Sequence, residues 1–118
     1  MVNNIVRNGI ESLYKGVCTI TVKESFRDKG VTRTRDTIYC ENQKCRLSYQ
    51  SSSTSNESDT VSTSYQIIKL FIAPEIEIPE GAKIEVTQDG RKELYKRSSK
   101  PMVYSNHQEV ILDRMEKT

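Results

Sequence analysis

Polar and apolar residues alternate at every second position through much of the chain. Cys18, Ile20, Val22 and Phe26 share one face of a predicted strand that begins near residue 17, because successive side chains of a strand point to opposite faces. Segment 83–88 alternates in the same way, and Asp89-Gly90 after it predicts a two-residue hairpin turn with positive φ. Short strands between turn signals predict a mainly β fold, a small antiparallel barrel or sandwich.

Two further turns are predicted in the first half of the chain. Asp28-Lys29-Gly30 ends the first strand, and Glu41-Asn42-Gln43 separates the exposed, threonine-rich segment 31–40 from a strand at 45–49. These elements would form a meander. The last apolar patch, at 110–112, predicts the final strand.

The first residues follow a helical period instead. Val2, Ile5, Ile10 and Leu13 recur at helical spacing, and Gly16 follows as a stop signal. A helix this short needs a surface to pack against. It either lies on its own barrel or docks on a neighbouring subunit, and the sequence leaves both interpretations open.

A serine- and threonine-rich segment at 51–63 interrupts the strand pattern. It has almost no apolar residue, so burial cannot stabilise it, and it is long for a hairpin connection. It is either a disordered surface loop or a segment that orders within an assembly. The candidate loop residues are Ser51, Ser53, Thr54, Ser55, Asn56, Glu57, Asp59, Thr60 and Ser62.

The run at 65–73 is the most apolar of the chain and carries apolar residues on both faces. A strand of this kind is covered on both sides. One side would be the barrel core, and the other would be covered by the N-terminal helix or by another subunit. The candidate interface residues are Val2, Ile5, Ile10, Leu13, Ile67, Phe71, Ile76 and Tyr104.

Length and charge limit the possible classes of protein. The 118 residues predict one domain, with a helix or arm at 1–15 and barrel segments at 16–50 and 64–114. The 18 basic and 16 acidic residues leave a formal net charge of +2, which lacks the basic excess of a dedicated nucleic-acid binder. We find neither a signal-peptide pattern nor an apolar run of membrane-spanning length, and no membrane partner is predicted.

The reactive residues do not form a catalytic or metal-binding pattern. Cys18, Cys40 and Cys45 are predicted to be reduced thiols, although Cys40 and Cys45 could face each other across a hairpin. His107 is the only histidine, so the four ligands of a structural zinc site are lacking. Ser105 and Glu109 near it do not mark a hydrolytic triad. We predict a protein that is not an enzyme and has no cofactor.

Several sequence strings carry a family resemblance. They are CRLSY at 45–49, IKLFIAPE at 68–75, IPEGAKI at 78–84, VTQDG at 86–90, YKRS at 95–98 and PMVYSNHQE at 101–109. Over residues 45–112 the chain resembles the head-completion, or stopper, proteins. These are minor structural proteins and head–tail connectors in the neck of tailed phages and phage-like elements of Gram-positive bacteria.

The resemblance implies a function and a set of partners. Stopper proteins form a ring of β-barrel subunits, here expected to be a hexamer, with the portal and adaptor above and the tail terminator or tail tube below. A long loop between two strands enters the channel and helps to retain the packaged DNA, and segment 51–63 has the position of that loop. The protein would assemble in the cytoplasm of the host bacterium and reside in the neck of the virion.

Two alternatives remain open on sequence grounds. The chain could be another ring protein of the neck, such as an adaptor or a tail terminator, although adaptors are mostly helical. It could also be a monomeric small-barrel binding module. Such a module would carry a basic or aromatic patch on one face, and the sequence does not show one.

Overall fold

The computed structural model describes residues 4–54 and 63–115. In this part of the chain one helix is followed by seven strands, which confirms the predicted mainly β class. The elements are α1 (Asn4–Glu11), β1 (Gly16–Asp28), β2 (Val31–Thr54), β3 (Thr63–Ile72), β4 (Lys83–Gln88), β5 (Arg91–Arg97), β6 (Met102–Val103) and β7 (Gln108–Arg114).

The strands close into an antiparallel barrel. The sheet runs in the order β3-β2-β1-β4-β5-β7-β6, and an additional pairing of β3 with β7 joins its two ends. Six strands therefore form the ring, because β6 only adds two residues beside β7. Closure gives the central strands partners on both sides and so removes most sheet edges.

The core lies inside this ring and is built from the alternating positions that the sequence indicated. Leu70 is the centre of one row, paired with Leu47 on β2 and with Val110 on β7. Ile84 and Val86 of β4 point inward as predicted, and Tyr95 is the largest fully buried side chain. The buried cluster comprises Cys18, Ile20, Cys45, Leu47, Ile68, Leu70, Ile72, Ile78, Ala82, Ile84, Val86, Tyr95, Val110 and Leu112.

The predicted turn at 41–43 is wrong, because β2 runs without a break through it. Gln43 pairs with Cys18 and Cys40 pairs with Ile20, so two residues of β2 lie opposite one residue of β1. This is a β-bulge, and Asn42 supplies the positive φ of 53°. A bulge bends a strand without ending its pairing, and a second register shift follows at once between Ile20 and Thr21.

The predicted turns at Asp28-Lys29-Gly30 and at Asp89-Gly90 are both confirmed, and each has two central residues with positive φ. Lys29 and Gly30 join β1 to β2 with φ values of 51° and 81°, and Asp89 and Gly90 join β4 to β5 with values of 53° and 77°. Positive φ at both central positions is the conformation of a type I′ turn, which matches the twist of the two flanking strands.

Helix α1 touches the barrel but does not cover the outer face of β3. Arg7 forms an ion pair with Glu75, in the segment between β3 and β4, and a second one with Glu11 in its own helix. Tyr14, just after the helix, is buried, and burial raises the pKa of its hydroxyl to about 12. The outer face of β3 is instead partly covered by the side chains of His107 and Arg46, which lie against Phe71.

Gln88 closes a gap in the barrel wall with its side chain. β1 begins at Gly16, which pairs with Cys45, so Leu47 lies beyond the end of β1. The backbone N–H of Leu47 donates to Gln88 Oε1 at 2.9 Å, and Gln88 Nε2 donates to the Leu47 carbonyl at 3.3 Å. A Cβ at position 16 would lie 3.0 Å from Gln88 Oε1 and 3.2 Å from the Cys45 carbonyl oxygen, so glycine leaves room for this contact.

Replacing Gln88 with leucine is expected to lower the free energy of unfolding by about 1–3 kcal/mol, because both backbone groups of Leu47 lose their partner. Urea denaturation measures this loss. Thr87→Val at the exposed neighbouring position is the matched control and should stay within about 0.5 kcal/mol of the wild type. If the Gln88→Leu variant were as stable as the control, water would satisfy the Leu47 backbone groups as well as the Gln88 amide does, and the assigned role would be contradicted.

Candidate interaction surfaces

Two hairpins extend beyond the barrel wall. In hairpin 1, residues 22–28 of β1 pair only with residues 31–37 of β2, since β4 reaches no farther than Thr21. In hairpin 2, residues 50–54 of β2 pair only with residues 63–67 of β3, since β7 begins to pair at Ile68. The two hairpins use opposite ends of β2, so they leave opposite ends of the barrel.

The hairpins make the molecule extended. Its radius of gyration is 17.5 Å, whereas a compact domain of this length has a value of about 13.5 Å. Sequence reasoning found the turn of hairpin 1 but not its projection. The available signal was the scarcity of apolar residues after Val22, because Phe26 and Val31 are the only ones in segments 23–28 and 31–37.

The boundaries predicted for the polar loop need correction. Ser51, Ser53 and Thr54 lie in β2, paired with Gln66, Ser64 and Thr63 of β3. The backbone makes these ladder bonds, so small polar side chains do not prevent them, and threonine favours strands. The other candidate loop residues lie outside the described residues: Ser55, Asn56, Glu57, Asp59, Thr60 and Ser62.

The candidate interface residues fall on separate surfaces. Ile5 and Leu13 are 84% and 54% exposed near the N-terminus, whereas Ile10 is half-buried. Ile67 and Phe71 are half-buried on the outer face of β3, and Tyr104 is half-exposed after β6. Ile76 packs against the barrel core, and Val2 lies outside the described residues.

Phe71 and Tyr104 meet through His107 on the outer face of the barrel. The ring of His107 stacks on Tyr104 with a centroid distance of 4.9 Å and lies 6.0 Å from Phe71. The guanidinium of Arg46 lies 5.7 Å from the Phe71 ring centroid, within the range of a cation–π contact. Local side chains therefore cover part of the apolar surface that was assigned to the helix or a neighbouring subunit.

His107 is also tied to charged residues. Its Nε2 lies 3.0 Å from a carboxylate oxygen of Glu109, whose other oxygen lies 3.5 Å from Lys69 Nζ. The hydrogen bond to His107 and then the charge of Lys69 lower the pKa of Glu109, against the opposing effect of burial. The histidine faces a carboxylate and two aromatic rings, and within the described residues no serine hydroxyl is hydrogen-bonded to either of its ring nitrogens, since Nδ1 has no partner.

Acidification is expected to remove stability that this contact supplies. The pKa of Glu109 is lower in the folded chain than its ordinary value, so its contribution is present above the unfolded-state pKa and is lost as the pH falls through the folded-state pKa. As the pH is lowered from about 5 to about 3, we expect the urea concentration at the unfolding midpoint to decrease. In the Glu109→Gln variant this decrease should be smaller. Glu41→Gln, at an exposed position, is the control, and identical pH profiles for all three proteins would contradict the assignment.

A groove lies at the barrel end from which hairpin 1 leaves. It has a volume of about 480 Å³ and is formed by the segment between β3 and β4, together with residues around β6. Buried Gln108 holds that segment, because its Nε2 donates to the carbonyl oxygens of Ala73, at 2.8 Å, and Ile76. We call this surface the proline groove, and its lining residues are Pro74, Glu75, Ile76, Glu77, Ile78, Pro79, Glu80, Arg97, Lys100, Pro101, Val103 and Gln108.

The opposite mouth of the barrel is polar and internally satisfied. Tyr95 donates a 2.6 Å hydrogen bond to Glu93, and its hydroxyl lies 3.3 Å from that of Tyr49. Burial, followed by the bond to Glu93, raises the pKa of Tyr95. Arg114 donates to Gln66 at 3.2 Å beside them. These groups bind one another, so the mouth requires no ligand to satisfy them.

The cysteines are not arranged as the possible hairpin pair. Cys40 and Cys45 both lie on β2, and the thiol of Cys45 instead contacts Cys18 in the core. Hydrogen bonding between these two thiols and burial raise the pKa of Cys18, so it stays protonated at neutral pH. All three cysteines are free. Within residues 4–54 and 63–115, no three His, Cys, Asp or Glu side chains are placed to hold a metal ion.

Comparison with known proteins gives one similar structure. No family model matches the chain, and no curated protein matches it. Among solved structures, the chain is similar to the phage-like element PBSX protein xkdH from Bacillus subtilis, with a TM-score of 0.49 and 13% sequence identity, over 83% of this chain and 91% of that one. None of the described helices is long and apolar enough to cross a membrane.

Proposed function

We propose that this chain is a ring-forming structural protein in the neck of a tailed phage or phage-like particle. In this role it joins the portal and adaptor to the tail as a stopper or head-completion protein. The observation that carries the proposal is a closed barrel with hairpins at opposite ends of one strand. Such a subunit can contact a neighbour with hairpin 1 and direct hairpin 2 into a central channel, and the resemblance of residues 45–112 to stopper proteins points to the same role.

The loop at the end of hairpin 2 is the proposed channel element. Five paired residues of each strand carry it beyond the last contact with β7, a distance of about 15 Å. Glu57 and Asp59 lie in this connection. Repeated around a ring, their charges would repel the phosphates of packaged DNA.

Deletion of the gene in its host, followed by particle induction and electron microscopy, tests the neck assignment. We expect heads and tails to accumulate separately, and a plasmid copy of the gene to restore joined particles. A binding module outside the particle predicts joined particles that retain their DNA. An adaptor or tail terminator predicts a different position of the protein in a density map of the neck.

The channel element is tested by the double variant Glu57→Lys/Asp59→Lys in assembled particles. We expect a change in DNA retention or ejection, because attraction replaces repulsion at the phosphates. The control variant Glu41→Lys/Asp113→Lys makes the same charge change at exposed positions on the barrel. Normal DNA retention and ejection in both variants would contradict the proposed gating role of the loop. The neck assignment would not be affected.

A further inference from the structure

Both edges of hairpin 1 lack a neighbouring strand. Residues 22–28 of β1 pair with residues 31–37 of β2, and β4 stops pairing with β1 at Thr21. On its other side, β2 pairs with β3 only from Cys45 onward. No third strand among the described residues therefore borders this part of the hairpin. Because alternate residues of a strand direct their N–H and C=O groups to opposite sides, each edge presents about three or four residues without a ladder partner.

A free edge of this kind is a template for strand addition. An isolated two-stranded hairpin is marginally stable in water, and three or more strands are needed for independent stability. A further strand from another chain can pair with an open edge through backbone hydrogen bonds. Charged side chains on an edge oppose unwanted pairing. The charges of hairpin 1 therefore decide which arrangement of strands is accepted.

Charges of opposite sign are separated onto the two strands of hairpin 1. On the face that continues the barrel interior, β1 carries Glu24 and Asp28, and β2 carries Arg33 and Arg35. These side chains form ion pairs across the hairpin, Arg35 with Glu24 at 3.5 Å and Arg33 with Asp28 at 3.8 Å. All four are 49–63% exposed, so each can also meet a charge on a neighbouring strand.

The opposite face has the reverse arrangement of charge. There β1 carries Lys23 and Arg27, and β2 carries Asp36, which lies directly opposite Lys23 in the ladder. Asp36 also forms an ion pair with Lys83 of β4 at 3.7 Å. Within the part of the chain that the structure describes, Arg27 has no ion-pair partner. Each strand is thus negative on one face and positive on the other, and the two strands have opposite signs on both faces.

This separation of charge disfavours pairing between identical edges. Two β1 edges would bring acidic side chains together on one face and basic side chains together on the other, and two β2 edges would do the same. Like charges opposite each other destabilise a sheet. A β1 edge beside a β2 edge instead places opposite charges next to each other on both faces. The two edges also match in length, with seven residues each.

A second copy of this chain in the same orientation supplies the complementary edge at the same height. β1 runs toward the turn and β2 runs back from it, so hairpins side by side bring β1 of one copy antiparallel to β2 of the next. At equal height the contact repeats the register within the hairpin, which places Lys23 opposite Asp36 and Glu24 opposite Arg35 of the second copy. A carboxylate has acceptor sites for donors on both sides, so the ion pairs within each hairpin are kept.

The same arrangement covers exposed apolar surface. Val31 is 55% exposed beside the turn, and Phe26 lies on the same face, diagonal from it. In the paired hairpins Phe26 of one copy is also diagonal to Val31 of the next, and an aromatic side chain reaches a diagonal neighbour. Association therefore buries an aliphatic side chain that a single chain leaves in water.

We infer that hairpin 1 pairs edge to edge with hairpin 1 of the next copy of this chain, with β1 of one copy beside β2 of the other. The contact joins two different surfaces, so repetition adds one hairpin after another in a series that can close into a ring. This inference rests on the proposed ring function and names the strands that would form the ring.

A charge-exchanged variant tests this pairing. It carries the substitutions Glu24→Lys, Asp28→Lys, Arg33→Glu and Arg35→Glu. Its net charge is that of the wild type, and its ion pairs within the hairpin are kept with reversed polarity. We expect the variant and the wild type each to self-associate but to avoid each other, because a mixed contact brings like charges together on one face. Far-ultraviolet circular dichroism verifies the fold.

Native mass spectrometry of an equal mixture counts the copies of each chain in every complex. We expect complexes that contain both chains to be about fivefold rarer than random mixing gives, since two unfavourable charge pairs arise in each mixed contact at exposed sites. The control makes the same exchange at exposed positions outside the paired segments and should mix with the wild type at random. Its substitutions are Glu41→Lys, Asp113→Lys, Lys44→Glu and Lys96→Glu.

Single cysteines locate the contact. Ser25 and Thr34 are exposed and lie opposite each other in the ladder. An equal mixture of Ser25→Cys and Thr34→Cys chains, treated with a short bismaleimide, should therefore give crosslinked dimers. Either variant alone should give far fewer. The wild type, whose own cysteines are buried or half-buried, measures the background.

Three results would overturn this pairing. Random mixing of the charge-exchanged variant with the wild type, or equal crosslinking in the mixture and the single variants, would place the interface elsewhere. A preference for mixed complexes would show that identical edges pair. A wild-type chain that stays monomeric up to about 1 mM would show that the edges do not bind each other. None of these results decides the neck assignment, because the gene-deletion experiment measures that independently.

Discussion

Replacing Leu70 with alanine is expected to lower the free energy of unfolding by about 2–5 kcal/mol, the range for a large-to-small change in a packed core. Leu70 is fully buried, and it is the middle residue of the row that joins Leu47 and Val110. The three strands of this row include β3 and β7, whose pairing closes the ring. A cavity here therefore weakens the barrel at its closure, and a urea or thermal melt measures the loss.

Ile67→Ala is the matched control for this change. Ile67 lies on the same strand, points to the outer face and is half-buried, so its truncation should cost about 1 kcal/mol or less. A loss equal to that of Leu70→Ala would mean that the outer face of β3 is packed as tightly as the core. It would thereby contradict the assignment of inside and outside.

Gln108→Met is expected to be the second most damaging of these substitutions. It removes two buried hydrogen bonds, to the carbonyl oxygens of Ala73 and Ile76, and a cost of about 2–3 kcal/mol follows. The loss should be concentrated in segment 73–82. Hydrogen exchange at the backbone N–H groups of Ile76 and Ala82, which donate across the turns of this segment at 3.2 Å each, should accelerate more than exchange in β4.

Gln50→Leu at an exposed position controls for the loss of a polar side chain and should leave both stability and exchange near wild-type values. Uniform acceleration across the barrel in the Gln108 variant would contradict the local role.

Local signals were sufficient for parts of the fold. The turn residues Lys29-Gly30 and Asp89-Gly90 predicted both tight hairpins, because only a few residue types accept positive φ at two successive positions. The alternation around Ile84 and Val86 gave the correct inward face. These features depend on neighbours in sequence, so a single sequence contains them.

Other features depend on distant partners and could not be predicted in this way. Asn42 carries the residue chemistry of a turn and forms a bulge instead, because β1 continues to pair on both sides of it. The serines at 51–53 resemble a loop in composition, yet their backbone pairs with β3. The groove requires Gln108 to reach Ala73, 35 residues away in sequence, and no local pattern marks that contact.

The unbroken course of β2 joins the two hairpins through one strand. A slip of one residue in either ladder would turn every side chain of the strand to the wrong face, so its pairing register is fixed where it crosses the barrel. Two bulges, at Tyr39 and Asn42, lie in its ladder with β1, whereas its ladder with β3 has no register shift. Since a bulge bends a strand, β2 bends on its way to hairpin 1 and continues without a bulge into hairpin 2.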